Sequence, residues 1–177
     1  AILKNNEVSV NNHREYIQDL GKLPYPDYNL INLKDYEGIS NISFQDCSKS
    51  AFIYSSRGCP YQCFYCHNFF GKKIRHRTPD DVVGEMLEHY NKRGIKDFVF
   101  VDDAFNVPMP IAKETLRLII NKLPGIRLNF SNGLRADQMD DEFIELLEKA
   151  GTVHIALAIE TASERLQKIV GKNLNLD

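Results

Sequence analysis

Apolar residues recur along this chain at two spacings, strand-like and helix-like, and the two alternate four times. Ala51-Phe52-Ile53-Tyr54 is a short apolar run that ends in the Gly58-Cys59-Pro60 turn, as a buried strand would. Val82, Val83, Met86, Leu87 and Tyr90 then fall on one helical face. Thr78 is placed to cap that helix, Pro79 opens its first turn, Asp80 and Asp81 sit at its positive end, and Gly94 stops it. Asp97 to Val101 reads as a second buried strand and Ile111 to Leu123 as a second helix, stopped by Pro124-Gly125. Arg127 to Phe130 and Asp140 to Ala150 form a third pair, the helix ending at Gly151. His154 to Ile159 and Ser163 to Val170 form the fourth.

Such alternation implies an α/β fold, with a parallel sheet and helices packed on it. Ligands of these sheets gather beyond the carboxyl ends of the strands. Four stretches lie at such ends: 57–66, Asp102-Asp103-Ala104-Phe105, 131–137 and Glu160-Thr161. Each holds polar residues suited to a ligand, and their coincidence counts for more than any one alone.

The first 48 residues follow another pattern and are set apart from 49–177. Ile2-Leu3-Lys4 and Val8-Ser9-Val10 flank Asn5-Asn6-Glu7, which predicts a small hairpin around an Asn turn. Leu23-Pro24-Tyr25-Pro26-Asp27-Tyr28 reads as extended, because each proline fixes its own φ and disfavours helix in the residue before it. This stretch is expected to lie as a connector against the domain surface.

Composition narrows the function classes. The chain has 177 residues, 43% hydrophobic and 26% charged, which is ordinary globular usage for one domain. With 22 basic and 24 acidic residues the formal net charge is −2, so no basic excess favours nucleic acid. Lys72, Lys73, Arg75, His76 and Arg77 make a local basic run, read as a solvated loop. No apolar run approaches the roughly 20 residues that span a bilayer, and the start lacks a signal-peptide pattern. Three of the four cysteines, Cys59, Cys63 and Cys66, are clustered, and Cys47 stands apart as a small apolar residue. Clustered thiols without an export signal point to a reduced, cytoplasmic setting and to a metal.

The spacing of the cluster is C-x3-C-x2-C. Three thiolates this close on a loop can face one compact object, and three ligands leave a four-ligand site open or dependent on another residue. Three bland alternatives compete: a structural zinc site completed by His67, His76 or Cys47, a structural iron–sulfur module, or a redox pair of Cys63 and Cys66 that leaves Cys59 unexplained. Asp102 and Asp103 could merely cap a loop, Arg135 could pair with Asp137, and Glu160 could cap the last helix.

The run Ser56-Arg57-Gly58-Cys59-Pro60-Tyr61-Gln62-Cys63-Phe64-Tyr65-Cys66 resembles the cluster loop of radical S-adenosylmethionine enzymes, with Tyr65 in the aromatic place before the last cysteine. Val101 to Phe105, Gly133 to Asp137, Ile159-Glu160-Thr161 and the Leu-Pro-Tyr-Pro-Asp-Tyr connector resemble the subgroup that follows a cobalamin-binding domain. The resemblance implies a [4Fe–4S] cluster on Cys59, Cys63 and Cys66 whose fourth iron is chelated by S-adenosylmethionine. One electron through the cluster then yields a 5′-deoxyadenosyl radical. It further implies that Tyr65 lies against adenine, Asp103 holds the methionine amino group, Arg135 meets the carboxylate and Glu160 meets the ribose. A reductant such as flavodoxin or ferredoxin and a small-molecule substrate follow from the same likeness. The parent reads as a cobalamin-associated methyltransferase or ring-forming enzyme, and an RNA methylthiotransferase is the rival within the family.

Members generally close six strand–helix units into a partial TIM-like barrel, and four are visible. The sequence therefore reads as an excised part, without the fifth-strand motif, and cobalamin would come from a domain outside it. Such a sheet is expected to expose its outer edge at Ile155 to Ile159 and to hide it in a homodimer.

Overall fold

The computed structural model describes residues 2–4, 7–10, 12, 14–40, 46–67 and 69–176. Its centre is a four-stranded parallel sheet of β3 (Ser50–Ile53), β6 (Asp97–Phe100), β7 (Arg127–Leu134) and β8 (Thr152–Leu157), in that order. Helices α1 (Pro79–Arg93), α2 (Met109–Lys122) and α3 (Asp141–Lys149) connect successive strands, and α4 (Glu164–Val170) follows the last. Two small antiparallel pairs stand outside the sheet: β1 (Ile2–Lys4) with β2 (Glu7–Ser9), and β4 (Ser56–Arg57) with β5 (Arg75–His76). The turn expected at Asn5-Asn6 and the side chain of Cys47 lie outside the described residues.

The helix ends form as their residues dictate. Thr78 Oγ1 accepts from Asp81 N–H, Asp140 accepts from Phe143 N–H, and Ser163 Oγ accepts from Leu166 N–H. Glu160 is thus not the cap of α4. Period-two alternation sends Ala51 and Ile53 of β3, Phe98 and Phe100 of β6, and Leu128 and Phe130 of β7 into one core with the helices. Phe100 and Phe130 stack at 5.2 Å, and Phe105 leans on both at 4.7 Å. The third strand runs four residues past its expected end, through a register irregularity against β8 between Phe130 and Leu134.

The two outer edges of the sheet differ. Beside β3 the connector supplies side chains in place of a strand. The Tyr28 hydroxyl accepts from Phe52 N–H at 3.3 Å, and beyond the connector Arg77, just before α1, donates to the Tyr54 carbonyl at 3.0 Å. Tyr28 and Leu33 also pack against the core. At the other edge, Val153, Ile155, Leu157 and Ile159 stay exposed, so the open edge is where the sequence places it, though the strand ends at Leu157. No helix among the described residues is long and apolar enough to cross a membrane.

The connector's hold on α1 creates a titrating group. His89 is 2% exposed and meets the Tyr28 ring edge-on at 4.4 Å. Burial, reinforced by Arg93, pushes its imidazole down to about 4. The folded chain thus keeps His89 neutral where the unfolded chain takes a proton, and stability is lost as pH falls from about 6.5 toward 4. Between pH 7 and 4 the wild type should lose roughly 3 kcal/mol more than His89→Phe, measured by denaturant unfolding. Parallel pH profiles would refute this.

Candidate functional site

One residue or more from each of the four strand ends, Cys59, Asp103, Arg135 and Glu160 among them, meets at one cavity. After β3 the chain enters β4 and turns at Gly58, whose φ is +94°. A Cβ there would stand 2.6 Å from the Lys73 carbonyl oxygen, so only glycine fits before Cys59. The loop then closes on itself and on α4. Cys59 N–H donates to the Gly71 carbonyl at 3.2 Å, and Phe64 N–H donates to the Val170 carbonyl at 3.0 Å. Gly171 stops α4 against the loop, where a Cβ would meet the Gln62 carbonyl at 2.8 Å.

Cys59, Cys63 and Cys66 are free thiols and line a single cavity of about 170 Å³. Among the described residues, no three His, Cys, Asp or Glu side chains stand close enough to hold one metal ion. Three thiols around one space suit a cluster that takes one thiolate per iron. His67 lines the adjoining cavity with Cys59 and Cys66, and its Nε2 lies 3.5 Å from Asp103 Oδ1. Burial pushes the Cys59 thiol up; a bound metal ion reverses that preference.

The same cavity is lined by Tyr65, Asp103, Arg135 and Glu160, so all seven residues singled out in the sequence share one wall. Desolvation, then the neighbouring Glu160 carboxylate, pushes the Tyr65 phenol up to about 12. Glu160 takes a left-handed backbone, φ +65°, which is strained for a non-glycine residue. Arg135 stacks over the Tyr61 ring at 3.7 Å and already has a carboxylate, Asp137, 2.8 Å from its Nε. Its Nη2 also donates to the Asn173 carbonyl.

One residue of this region, Lys172, escapes a reading of the sequence, and another, Asp102, takes the loop-capping role instead of a place in the cavity. Lys172, nearly buried, enters the cavity and its Nζ donates to Glu160 Oε1 at 2.9 Å. That contact holds the Glu160 carboxyl below its ordinary value. Its local sequence, Gly171-Lys172-Asn173 after a helix, looks like an ordinary C-terminus. Asp102 is wholly enclosed, and its Oδ1 accepts from Ser55 N–H at 3.0 Å, Ser55 Oγ at 2.8 Å, Ser56 Oγ at 2.6 Å and Ser56 N–H. The second strand end thereby ties down the start of the cysteine loop. The Asp-Asp pair carries a signal, but not which member faces the cavity.

The basic run does not form a charged face. Lys72 donates to the Tyr61 carbonyl, and Arg75 donates to the Ile17 and Phe70 carbonyls. Arg77 binds Asp81 and Glu85.

The pattern of the Radical SAM superfamily matches residues 53–177. The chain belongs to that superfamily. Its members bind [4Fe–4S] and S-adenosylmethionine, and their core is a TIM-like barrel of which this open parallel sheet is a part. The chain is 30% identical over 164 residues to a cytidylyl-2-hydroxyethylphosphonate methyltransferase of Streptomyces wedmorensis, covering 90% of this chain and 30% of the relative. It is 27% identical over 167 residues to an anaerobic magnesium-protoporphyrin IX monomethyl ester cyclase of Cereibacter sphaeroides, covering 93% of this chain and 26% of that one. The radical S-adenosylmethionine methyltransferase TsrM of Kitasatospora setae, solved with cobalamin and a [4Fe–4S] cluster, superposes with a TM-score of 0.61. There the identity is 28%, over 66% of this chain and 23% of TsrM. The chain thus spans less than a third of each of these three proteins.

Proposed function

We propose that Cys59, Cys63 and Cys66 hold a [4Fe–4S] cluster and that Tyr65, Asp103, Arg135, Glu160 and Lys172 bind S-adenosylmethionine beside it. In this reading residues 49–177 are the core and 1–48 its approach segment. The observation that carries it is the single cavity walled by all three thiols and by these five side chains. With the groups bound, the chemistry supplied is one-electron reduction of the sulfonium, giving methionine and a 5′-deoxyadenosyl radical.

The chain's own residues bind and orient. Glu160, kept ionised by Lys172, is an acceptor for ribose hydroxyls. Asp103, at the end of β6, is an acceptor for the methionine ammonium. Arg135 and Lys172 bring positive charge to the wall where a carboxylate would rest. Tyr65 offers a ring for the adenine. The parent is read as a cobalamin-associated methyltransferase or ring-forming enzyme with a small-molecule substrate and a protein reductant. The methyltransferase and cyclase relatives support that, as does TsrM, which was also solved with tryptophan substrate and a S-adenosylmethionine analogue. Nothing among the relatives supports a homodimer through β8.

Anaerobic reconstitution tests the reading. About four irons with matching sulfide per chain are expected, and S-adenosylmethionine should change the electron paramagnetic resonance spectrum of the reduced cluster. One zinc per chain, or a spectrum indifferent to S-adenosylmethionine, would overturn it.

A further inference from the structure

Among the described residues, one guanidinium of the cysteine loop has only aromatic rings for partners. Arg57, two residues before Cys59, lies 5.8 Å from the centre of the Tyr54 ring and 5.4 Å from that of Phe70. Its side chain makes no ion pair or hydrogen bond among the described residues, whereas Arg75 and Arg77 nearby use theirs on carbonyls and carboxylates. Ring faces hold the plane of a guanidinium but leave its N–H edges unbonded.

Those edges open on space. Arg57 stands in the walls of two cavities, one of about 280 Å³ and one of about 570 Å³. The first runs along the connector, with Leu20, Leu23, Pro24 and Phe52, and its charged lining besides Arg57 is Arg77 and Glu85, which pair with each other. The second adds two cations, Arg14 and the carbonyl-bound Arg75, against one carboxylate, Glu15. The larger volume is within the range of small-molecule sites. Phe69 and Phe70 also line the adjoining cavity at Cys59 and Cys66, so a molecule seated on Arg57 stands beside the cysteine loop.

We propose that this cleft is a second binding site, taking the substrate as a small molecule with a carboxylate or phosphate on a flat apolar body. Arg57 pairs with the anion through its free edge, and the rings and the connector wall cover the body. Naming the occupant a substrate rests on the function proposed above; the anion site itself does not.

Calorimetric titration of the full chain with 2-naphthoate, 2-naphthyl phosphate and the neutral 2-naphthamide tests it. At least one anion should bind about tenfold or more tighter than the amide, as expected for a charge-assisted pair, and the tighter one assigns the head group. Arg57→Gln should bring both anions to the affinity of the amide. Phe70→Leu, which removes only a ring from the guanidinium, should weaken the preferred anion about threefold or more. Arg117→Gln, on the exposed face of α2, serves as the control and should change nothing. Equal affinities for all three probes, or unchanged anion affinity in Arg57→Gln, would overturn the site. Iron measured in the same preparations separates the two proposals: anion binding without a cluster sinks only the cluster, and a cluster without anion preference sinks only the cleft.

Discussion

Cys63→Ala is expected to lower iron after anaerobic reconstitution from about four per chain to background, and Cys59→Ala and Cys66→Ala should do the same. Each thiol would hold its own iron, so no neighbour can substitute for a lost one. His67 is turned to Asp103, and His76 lies in β5, paired with Ser56. His67→Ala and His76→Ala should therefore keep their iron. That contrast separates a cluster from a three-cysteine zinc site, in which one histidine would be as necessary as any thiol. Retained iron in all three cysteine variants, or its loss in a histidine variant, would refute the assignment.

How far the sequence can be read depends on how local the cause is. Thr78 and Gly94 end their helix as their residue types predict, because a cap needs only the chain a few residues away, and Ser163 takes the cap for which Glu160 is a candidate in the sequence. The strand ends collect the candidate residues because alternation alone sets the sheet. The end of β7 is less legible, since Ser131 to Leu134 joins the strand only through a displaced register with β8. Contacts made across the fold are not legible at all. Tyr28 closes the edge of β3 from 24 residues away, and Lys172 reaches Glu160 only because α4 folds its end against the cysteine loop. The basic run shows the same limit. Its composition suggests a charged surface, yet Arg75 and Arg77 turn inward to carbonyls and acids. Charge counts carry no information about which direction a side chain takes.

Asp102 shows how such a distant contact could govern the site. Its carboxylate is the shared acceptor for two backbone and two hydroxyl donors of Ser55 and Ser56, at the point where the cysteine loop leaves the sheet. Asp102→Ala strands those donors, and a buried donor without an acceptor costs roughly 1–3 kcal/mol. Even with water entering the space, a loss of about 3 kcal/mol or more is expected on denaturant unfolding, with iron retention falling in parallel. Asp102→Asn keeps one acceptor oxygen and should recover part of both. The pH dependence gives an independent check. Burial, opposed by the serine donors, pushes the Asp102 carboxyl up to about 6. The folded chain then binds a proton that the unfolded chain has released, so this group favours folding as pH falls from about 6 toward 4 and loses that contribution as pH rises. The sign is opposite to that of His89, and the two partly cancel in the wild type. Asp102→Asn should therefore lose more stability than the wild type between pH 6 and 4, where His89 acts unopposed. A variant whose acid profile is no steeper than the wild type's, with iron retained in Asp102→Ala, would show that the carboxylate neither titrates there nor fixes the loop.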